Sequence, residues 1–219
     1  MSSPTCFLPL RSNEPSTQAY LDAKLRSYEV CIENGCYDDA YVNAHLIFMY
    51  WLYSKLWILT KHDPDLLQRI FSLHSFDSKF DRSKFINASS ALDLHQLKLE
   101  ERKYAEVFGA ICLDRTNVKS LKELVDTRNK ILHPSGVVIF NSYEELGKTL
   151  DVQVGLAQVI ADHLASAYIG LVEVSINKKL TYRRLLRWET DYMLEQELFT
   201  TYHLSAIDYE AAKSVLRIS

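Results

Sequence analysis

The sequence predicts an all-α fold, an up-and-down helical bundle with additional C-terminal helices, and three observations carry that reading. Glycine and proline together make up about 5% of the 219 residues, where average usage gives roughly 12%. So few breakers disfavour a turn-rich sandwich or barrel and leave room for long helices. Apolar residues also recur at three- and four-residue spacings along most of the chain, and helix start and stop signals bracket those runs.

A polar lead, residues 1–16, ends at Ser16 or Thr17, either of which suits an N-cap. Tyr20, Leu21, Ala23, Leu25, Tyr28, Cys31 and Ile32 then keep helical spacing up to a stop at Asn34-Gly35. The next helix starts after Asp38-Asp39 and runs to about Lys61. Ala44, Ile47, Phe48, Trp51, Leu52, Leu56 and Leu59 form its face, and Tyr50, Tyr53 and Trp57 widen that face nearly all round, so it is the expected centre of the core. Asp63-Pro64 ends it and opens a short helix over 65–73.

The Ser-, Asp- and Phe-rich stretch 74–88 reads as a loop. Ser89 or Ser90 caps a helix through Leu92, Leu97, Leu99, Tyr104, Val107, Phe108 and Ile111. A turn over 114–117 leads into a helix containing Leu121, Leu124, Val125 and Leu132, which Pro134 and Gly136 end. The β-branched run 137–140 is a strand fragment or simply extended. Ser142-x-x-Glu145 is a capping box opening a short helix. A long apolar helix follows over 151–176, then Lys178-Lys179, a helix over 181–199, and a last small one begun by Ser205-x-x-Asp208. About eight helices result. With no repeat and no linker, the chain reads as one domain: the lead 1–16, a helical domain 17–177 and an extension of it, 178–219.

A formal net charge of −3 with 47% apolar and 24% charged residues is ordinary for a globular protein. It argues against a surface coated in positive charge, so any nucleic-acid contact relies on a local patch. The candidate membrane stretch 40–59 is interrupted by Asn43, His45, Ser54 and Lys55, so no membrane partner is expected. The opening residues lack a basic start, a long apolar run and a small-residue cleavage site, so no secretory signal is expected and a cytoplasmic location is.

Cys6, Cys31, Cys36 and Cys112 show no CxxC spacing and read as reduced thiols; Cys31 and Cys36, at a helix end, read as small hydrophobes. His62, His74, His95, His163 and His203 show no paired spacing, so neither a metal nor another cofactor is expected. The absence of GxxxxGK[ST], GxGxxG and GxSxG removes P-loop, Rossmann and α/β-hydrolase readings.

The informative stretch is 121–136, LKELVDTRNKILHPSG. On a helical wheel Leu121, Leu124, Val125, Arg128, Ile131 and Leu132 share one stripe with Arg128 near its middle. Desolvating a guanidinium costs several kcal/mol unless anionic partners meet it, so an arginine there implies a partner or a site. Asn129 and His133, four apart, lie on the flank of the stripe beside Asp126. Pro134 pushes His133 out of the α region, placing its imidazole at the lip of the helix, near enough to the arginine to share one small anion.

Arg128-Asn129-Lys130-Ile131-Leu132-His133 resembles the R-x4-6-H signature of HEPN (higher eukaryotes and prokaryotes nucleotide-binding) domains, including the polar residue that often follows the arginine. The likeness covers 17–176 in outline. In that family a first amphipathic helix leads through a short Gly/Tyr turn, here Asn34-Gly35-Cys36-Tyr37, to a long apolar helix, and the signature lies late, before a further long helix.

The resemblance implies a bundle that dimerises so that Arg and His of both protomers face one cleft, and that cuts RNA without metal. It implies Arg128 as phosphate clamp, His133 as general base or acid, and Asn129 as the residue orienting the imidazole or phosphate. The histidine suits proton transfer from a ribose 2′-OH or to a leaving 5′-oxygen, and the arginine suits the charge that builds on the phosphate. A regulated toxin or antiviral defence effector is implied too, with RNA as substrate and an inhibitor, antitoxin or sensor protein as partner. One branch carries tyrosine two residues after the histidine; Ser135 stands there, so modification by a partner nucleotidyltransferase is not expected.

Other readings stay open at this point. Arg128 can pair with a carboxylate such as Asp126 or Glu123 while His133 caps terminal carbonyls, a purely structural device. The chain can also be a non-catalytic binding or adaptor module for nucleotide, RNA or a protein partner. Lys130 and the basic run Lys178, Lys179, Arg183, Arg184 and Arg187 can bind RNA, or the run can be a solvated face answered by Glu189 and Asp191. Asn43 and His45 on the central helix either line the same cleft or, for His45, sit satisfied in the core.

Overall fold

A computed structural model describes residues 4–7, 15–63, 65–66, 68–69, 83, 87–88, 91, 100–133, 136–181 and 205–216. Six α-helices occupy these residues: α1 (Pro15–Glu33), α2 (Tyr37–His62), α3 (Glu101–Ile111), α4 (Arg115–Leu132), α5 (Tyr143–Thr181) and α6 (Ala206–Leu216), after a 3₁₀ turn at Pro4–Phe7. No strand occurs among the described residues. The protein is all-α, as its breaker-poor composition predicts.

Helix α1 stops where Asn34-Gly35 predicts, and the hydrogen bonds show why. The Cys36 N–H donates to the Cys31 carbonyl at 2.8 Å and the Gly35 N–H to the Ile32 carbonyl at 3.1 Å, which satisfies two terminal carbonyls. This closure needs a left-handed residue, and Gly35 supplies it at φ 70°. The chain reverses there, and α2 packs back along α1.

Helix α2 is the spine of the bundle. Ile47, Phe48, Trp51, Leu52 and Leu56 are each wholly buried, so neighbours cover every side of the helix, as its all-round apolar sequence requires. Phe7 of the N-terminal lead is buried against Phe48 and Trp51, with ring centroids 5.4 and 5.9 Å away; a lead that reads as polar therefore contributes a core residue. A second, smaller core gathers Tyr28, Tyr41, Ala44, Phe140, Leu146 and Leu150 around the N-terminal turns of α2.

Several boundaries differ from the sequence reading. Helix α3 begins at Glu101, because Glu100 is extended at φ −56° and ψ 133°; a helix running unbroken from Ser89 or Ser90 to Ile111 is thereby corrected. The expected turn over 114–117 is a helix start: the Asp114 carboxylate accepts the Asn117 N–H at 2.8 Å and caps α4. The run 137–140 is irregular, with a bend at Ile139, and not a strand. Asp38, in the first turn of α2, accepts the N–H groups of Ile139 at 3.0 Å and Phe140 at 2.8 Å, taking the place of a strand partner.

The capping box at Ser142 is present, with Ser142 Oγ accepting the Glu145 N–H at 3.2 Å and the Glu145 carboxylate accepting the Asn141 N–H at 2.8 Å. It opens one helix of 39 residues, not a short one followed by a long one, and that helix passes through Lys178-Lys179 without a break. Nothing between 143 and 181 is a proline, and Gly147, Gly155 and Gly170 are tolerated in a helix interior at about 1 kcal/mol each. Of the short helix expected over 65–73, residues 65, 66, 68 and 69 are described and helical. The loop expected over 74–88 lies almost entirely outside the described residues, and the helix expected over 181–199 does so beyond Thr181.

Helix α6 is locked into the bundle by charge. Lys55 of α2 and Asp208 of α6, both fully buried, form an ion pair. Asp208 also accepts from Trp51 Nε1 at 3.2 Å, from Ser205 Oγ at 2.7 Å and from the Ser205 N–H at 2.8 Å. The Ser205-x-x-Asp208 cap therefore doubles as the receptor for a buried lysine, and the C-terminal helix belongs to the same packed body as α2.

Candidate functional site

The apolar stripe of α4 seats it on the bundle: Leu121, Leu124 and Val125 are buried. The stripe brings Arg128, one turn further on, to the edge of the interior with its side chain 20% exposed. Ile131 is half-buried, whereas Leu132 is 56% exposed, so the last turn runs past the body of the protein. The Tyr41 hydroxyl donates to the Leu124 carbonyl at 2.7 Å and ties α2 to α4 just below Arg128.

The arginine's partner is Glu101, in the first turn of α3, and not Asp126 or Glu123. Arg128 Nη2 and Glu101 Oε2 form an ion pair. Asp126 instead pairs with Arg102 at 2.6 Å, and Glu123 with Lys119 at 3.6 Å. A carboxylate at a helix N-terminus is favoured by the helix dipole, which makes Glu101 a well-placed anchor.

His45 of α2 completes the cluster. It is wholly buried, and its Nε2 lies 3.2 Å from the same Glu101 oxygen. An ionised carboxylate only accepts, so the contact fits an imidazole carrying its proton on Nε2. Burial raises the Glu101 carboxyl, but hydrogen bonds from His45 and Arg128 outweigh it and hold the group at about 2. Glu101 is therefore ionised across the neutral range. Two buried nitrogens, His45 Nδ1 and Arg128 Nε, have no hydrogen-bond partner among the described residues.

Around this centre stand four tyrosines, Tyr20, Tyr41, Tyr53 and Tyr104. Burial raises each of their hydroxyls, and the Glu101 charge raises each further, while the Arg128 charge acts in the opposite direction at Tyr41 and Tyr53. They stay neutral at neutral pH.

His133 is placed differently. It is the C-cap of α4, at φ −81° and ψ 135°, with its N–H donated to the Asn129 carbonyl at 3.0 Å. The extended backbone is what a following proline imposes. Its side chain is exposed, and its ring makes no hydrogen bond among the described residues, so it does not cap the helix carbonyls. At about 100° per residue, five positions place His133 about 140° around the axis from Arg128. The arginine consequently faces in while the histidine faces out; no hydrogen bond within one chain joins them.

Asn129 is half-buried and meets His133 through its backbone carbonyl. Lys130 is exposed. Lys178 and Lys179 lie in the final turns of α5, and Arg183, Arg184 and Arg187 lie outside the described residues. Asn43 turns away from the cluster, donating to the Asp39 carbonyl at 2.9 Å. Among the described residues no group of three His, Cys, Asp or Glu side chains is arranged to hold a metal ion, and no helix is long and apolar enough to cross a membrane.

Sequence reasoning missed Glu101. It stands in the charged run Glu100-Glu101-Arg102-Lys103, and nothing in that spacing separates the one inward carboxylate from its solvated neighbours. No family model matches the chain, and neither a curated protein nor a solved structure matches it, so the residues themselves carry the functional argument.

Proposed function

We propose that this chain is a metal-independent endoribonuclease of the HEPN type, acting in the cytoplasm as a regulated toxin or antiviral defence effector. The observation that carries the reading is the end of α4, where a partly exposed Arg128 and an exposed His133 stand within one signature. His133, whose ring makes no hydrogen bond among the described residues, takes the proton from a ribose 2′-OH or returns one to the leaving 5′-oxygen. Arg128 holds the scissile phosphate and stabilises its developing charge. The products are a 2′,3′-cyclic phosphate and a 5′-hydroxyl, and DNA, lacking the 2′-OH, is spared.

Because Arg128 and His133 point to different sides of one helix, a second copy is the natural source of the complementary group. A homodimer places the histidine of one protomer beside the arginine of the other. Lys130 and the basic run 178–187 supply phosphate contacts along the substrate. Free activity of this kind harms its host, so an inhibitor, antitoxin or sensor protein holds it in check.

The test is incubation of the purified protein with RNA in EDTA. Cleavage that survives chelation, leaves cyclic phosphates and disappears in both Arg128→Ala and His133→Ala supports the reading; full cleavage by both variants rejects it. One observation favours a second reading. Glu101 already neutralises Arg128, which suits a non-catalytic module that binds RNA, nucleotide or a protein partner. Tight binding with the RNA left intact would select it.

A further inference from the structure

The closure of α1 draws two cysteines together. Cys31 is the last-turn residue whose carbonyl accepts the Cys36 N–H at 2.8 Å. With about 2.4 Å from a carbonyl oxygen to its own Cα and about 1.5 Å from N to Cα, this bond holds the two Cα atoms within about 6.7 Å. Disulfides span Cα separations of about 4.4–6.8 Å. In this type of helix ending the side chains at the same two positions are frequently in contact; the Cys36 thiol here donates to the Asn34 carbonyl at 3.8 Å, within the same turn. Cys36 is exposed and Cys31 half-buried, so an oxidant in solvent reaches Cys36 more readily than Cys31.

We propose that Cys31 and Cys36 are a dithiol pair that closes to an intramolecular disulfide, a redox modification site at the α1–α2 turn. Hydrogen peroxide is a sufficient oxidant. The Cys36 thiolate attacks one peroxide oxygen, the O–O bond breaks, and hydroxide leaves a sulfenic acid. The Cys31 sulfur, as thiolate, then attacks the Cys36 sulfur, the S–O bond breaks, and the hydroxyl leaves as water. Two thiols and one peroxide become one disulfide and two waters.

The order of attack follows from the surroundings. Burial, then Asp39 and Cys36, push the Cys31 thiol up, so little of it is the thiolate that meets peroxide, and its part is the intramolecular step, where its neighbour is held close. Cys112 is pushed up to about 12 by burial and is the poorer competitor.

The position matters because Cys31 packs on the same small core as the end of α4. That core includes Phe140 and carries Ile131, two residues before His133. Cys36 precedes α2, whose Asp38 holds the backbone of Ile139 and Phe140. The disulfide staples the turn on which the segment after His133 rests. This inference does not depend on the ribonuclease reading.

The experiment uses the full chain, folded and exposed to stoichiometric hydrogen peroxide, then alkylated and analysed by mass spectrometry. The peptide spanning both cysteines should be lighter by two hydrogens and unalkylated, and dithiothreitol should restore it. Proteolysis after Glu33, which lies between them, should leave two fragments that separate only on reduction. Cys31→Ser should instead leave Cys36 as sulfenic acid or joined to a second chain. Wild-type protein in which Cys36 is over-oxidised, or bridges two chains, while Cys31 remains fully alkylated would overturn the proposal.

Discussion

Arg128 and His45 meet on a single carboxylate oxygen. Glu101 Oε2 accepts from the arginine and stands 3.2 Å from His45 Nε2, so residues 83 positions apart in the chain share one acceptor at the edge of the core. The arginine is thus a structural group as well as a candidate phosphate clamp, and the two roles are separable by measurement.

Removing the arginine strands a largely buried carboxylate. Arg128→Ala should lower unfolding stability by about 2–4 kcal/mol, somewhat below the roughly 3–5 kcal/mol for breaking a fully buried pair because both side chains keep some exposure. His133→Ala, at an exposed cap, should change it by no more than about 0.5 kcal/mol. Urea denaturation of both variants checks this; equal losses would contradict the placement of either residue.

The same carboxylate sets a pH dependence. Its folded value is about 2, below its ordinary 4.5, so the stabilisation is fully present above about pH 5 and is lost as pH falls toward 2. A shift of this size corresponds to at most about 3 kcal/mol. Denaturation midpoints measured from pH 6 to pH 2 should fall for the wild type and fall less for Glu101→Gln. Parallel curves would rule out Glu101 as the titrating group.

Asp208 is the receptor for a fully buried lysine. Asp208→Ala should cost about 3–5 kcal/mol, because it takes away the carboxylate that faces the buried Lys55 ammonium. Lys55→Met combined with Asp208→Leu should recover part of that loss, since the apolar pair needs no partner while Trp51 and Ser205 still lose an acceptor. Thermal and urea unfolding of the single and double variants decide it, and a double variant no better than Asp208→Ala would count against the pair as the cause.

Asp38→Ala removes two charge-assisted bonds to the backbone after His133. Stability should fall by about 1–3 kcal/mol, and the Ile139 and Phe140 amides should exchange with deuterium at least tenfold faster. Unchanged exchange at those two amides would show that the segment is held by something else.

Local chemistry determined much of this protein from the sequence by itself. The scarcity of breakers, the all-round apolar face of α2, Asn34-Gly35, Pro134, and the caps at Ser142 and Ser205 follow from backbone sterics and burial, and each acts within a few residues. Those rules place the ends of α1, α2 and α4 and the onset of α6, though α1 starts at Pro15, ahead of the expected cap at Ser16 or Thr17, and α2 at Tyr37, ahead of Asp38-Asp39; they also set Arg128 toward the interior and His133 at a helix lip. Their limit was continuity: a capping box marks where a helix may start and says nothing of how far it runs, so α5 was read as two pieces.

The tertiary structure alone decided which groups meet. Arg128 chose Glu101 over the nearer Asp126 because the guanidinium on the buried stripe faces the start of α3, while Asp126 lies on the side that meets Arg102. Asp38, Lys55 and His45 gained their partners across gaps of 56 to 153 residues. A charge desolvated by packing must take whatever opposite charge or donor the packing brings to it, and periodicity along one helix carries no information about its neighbours.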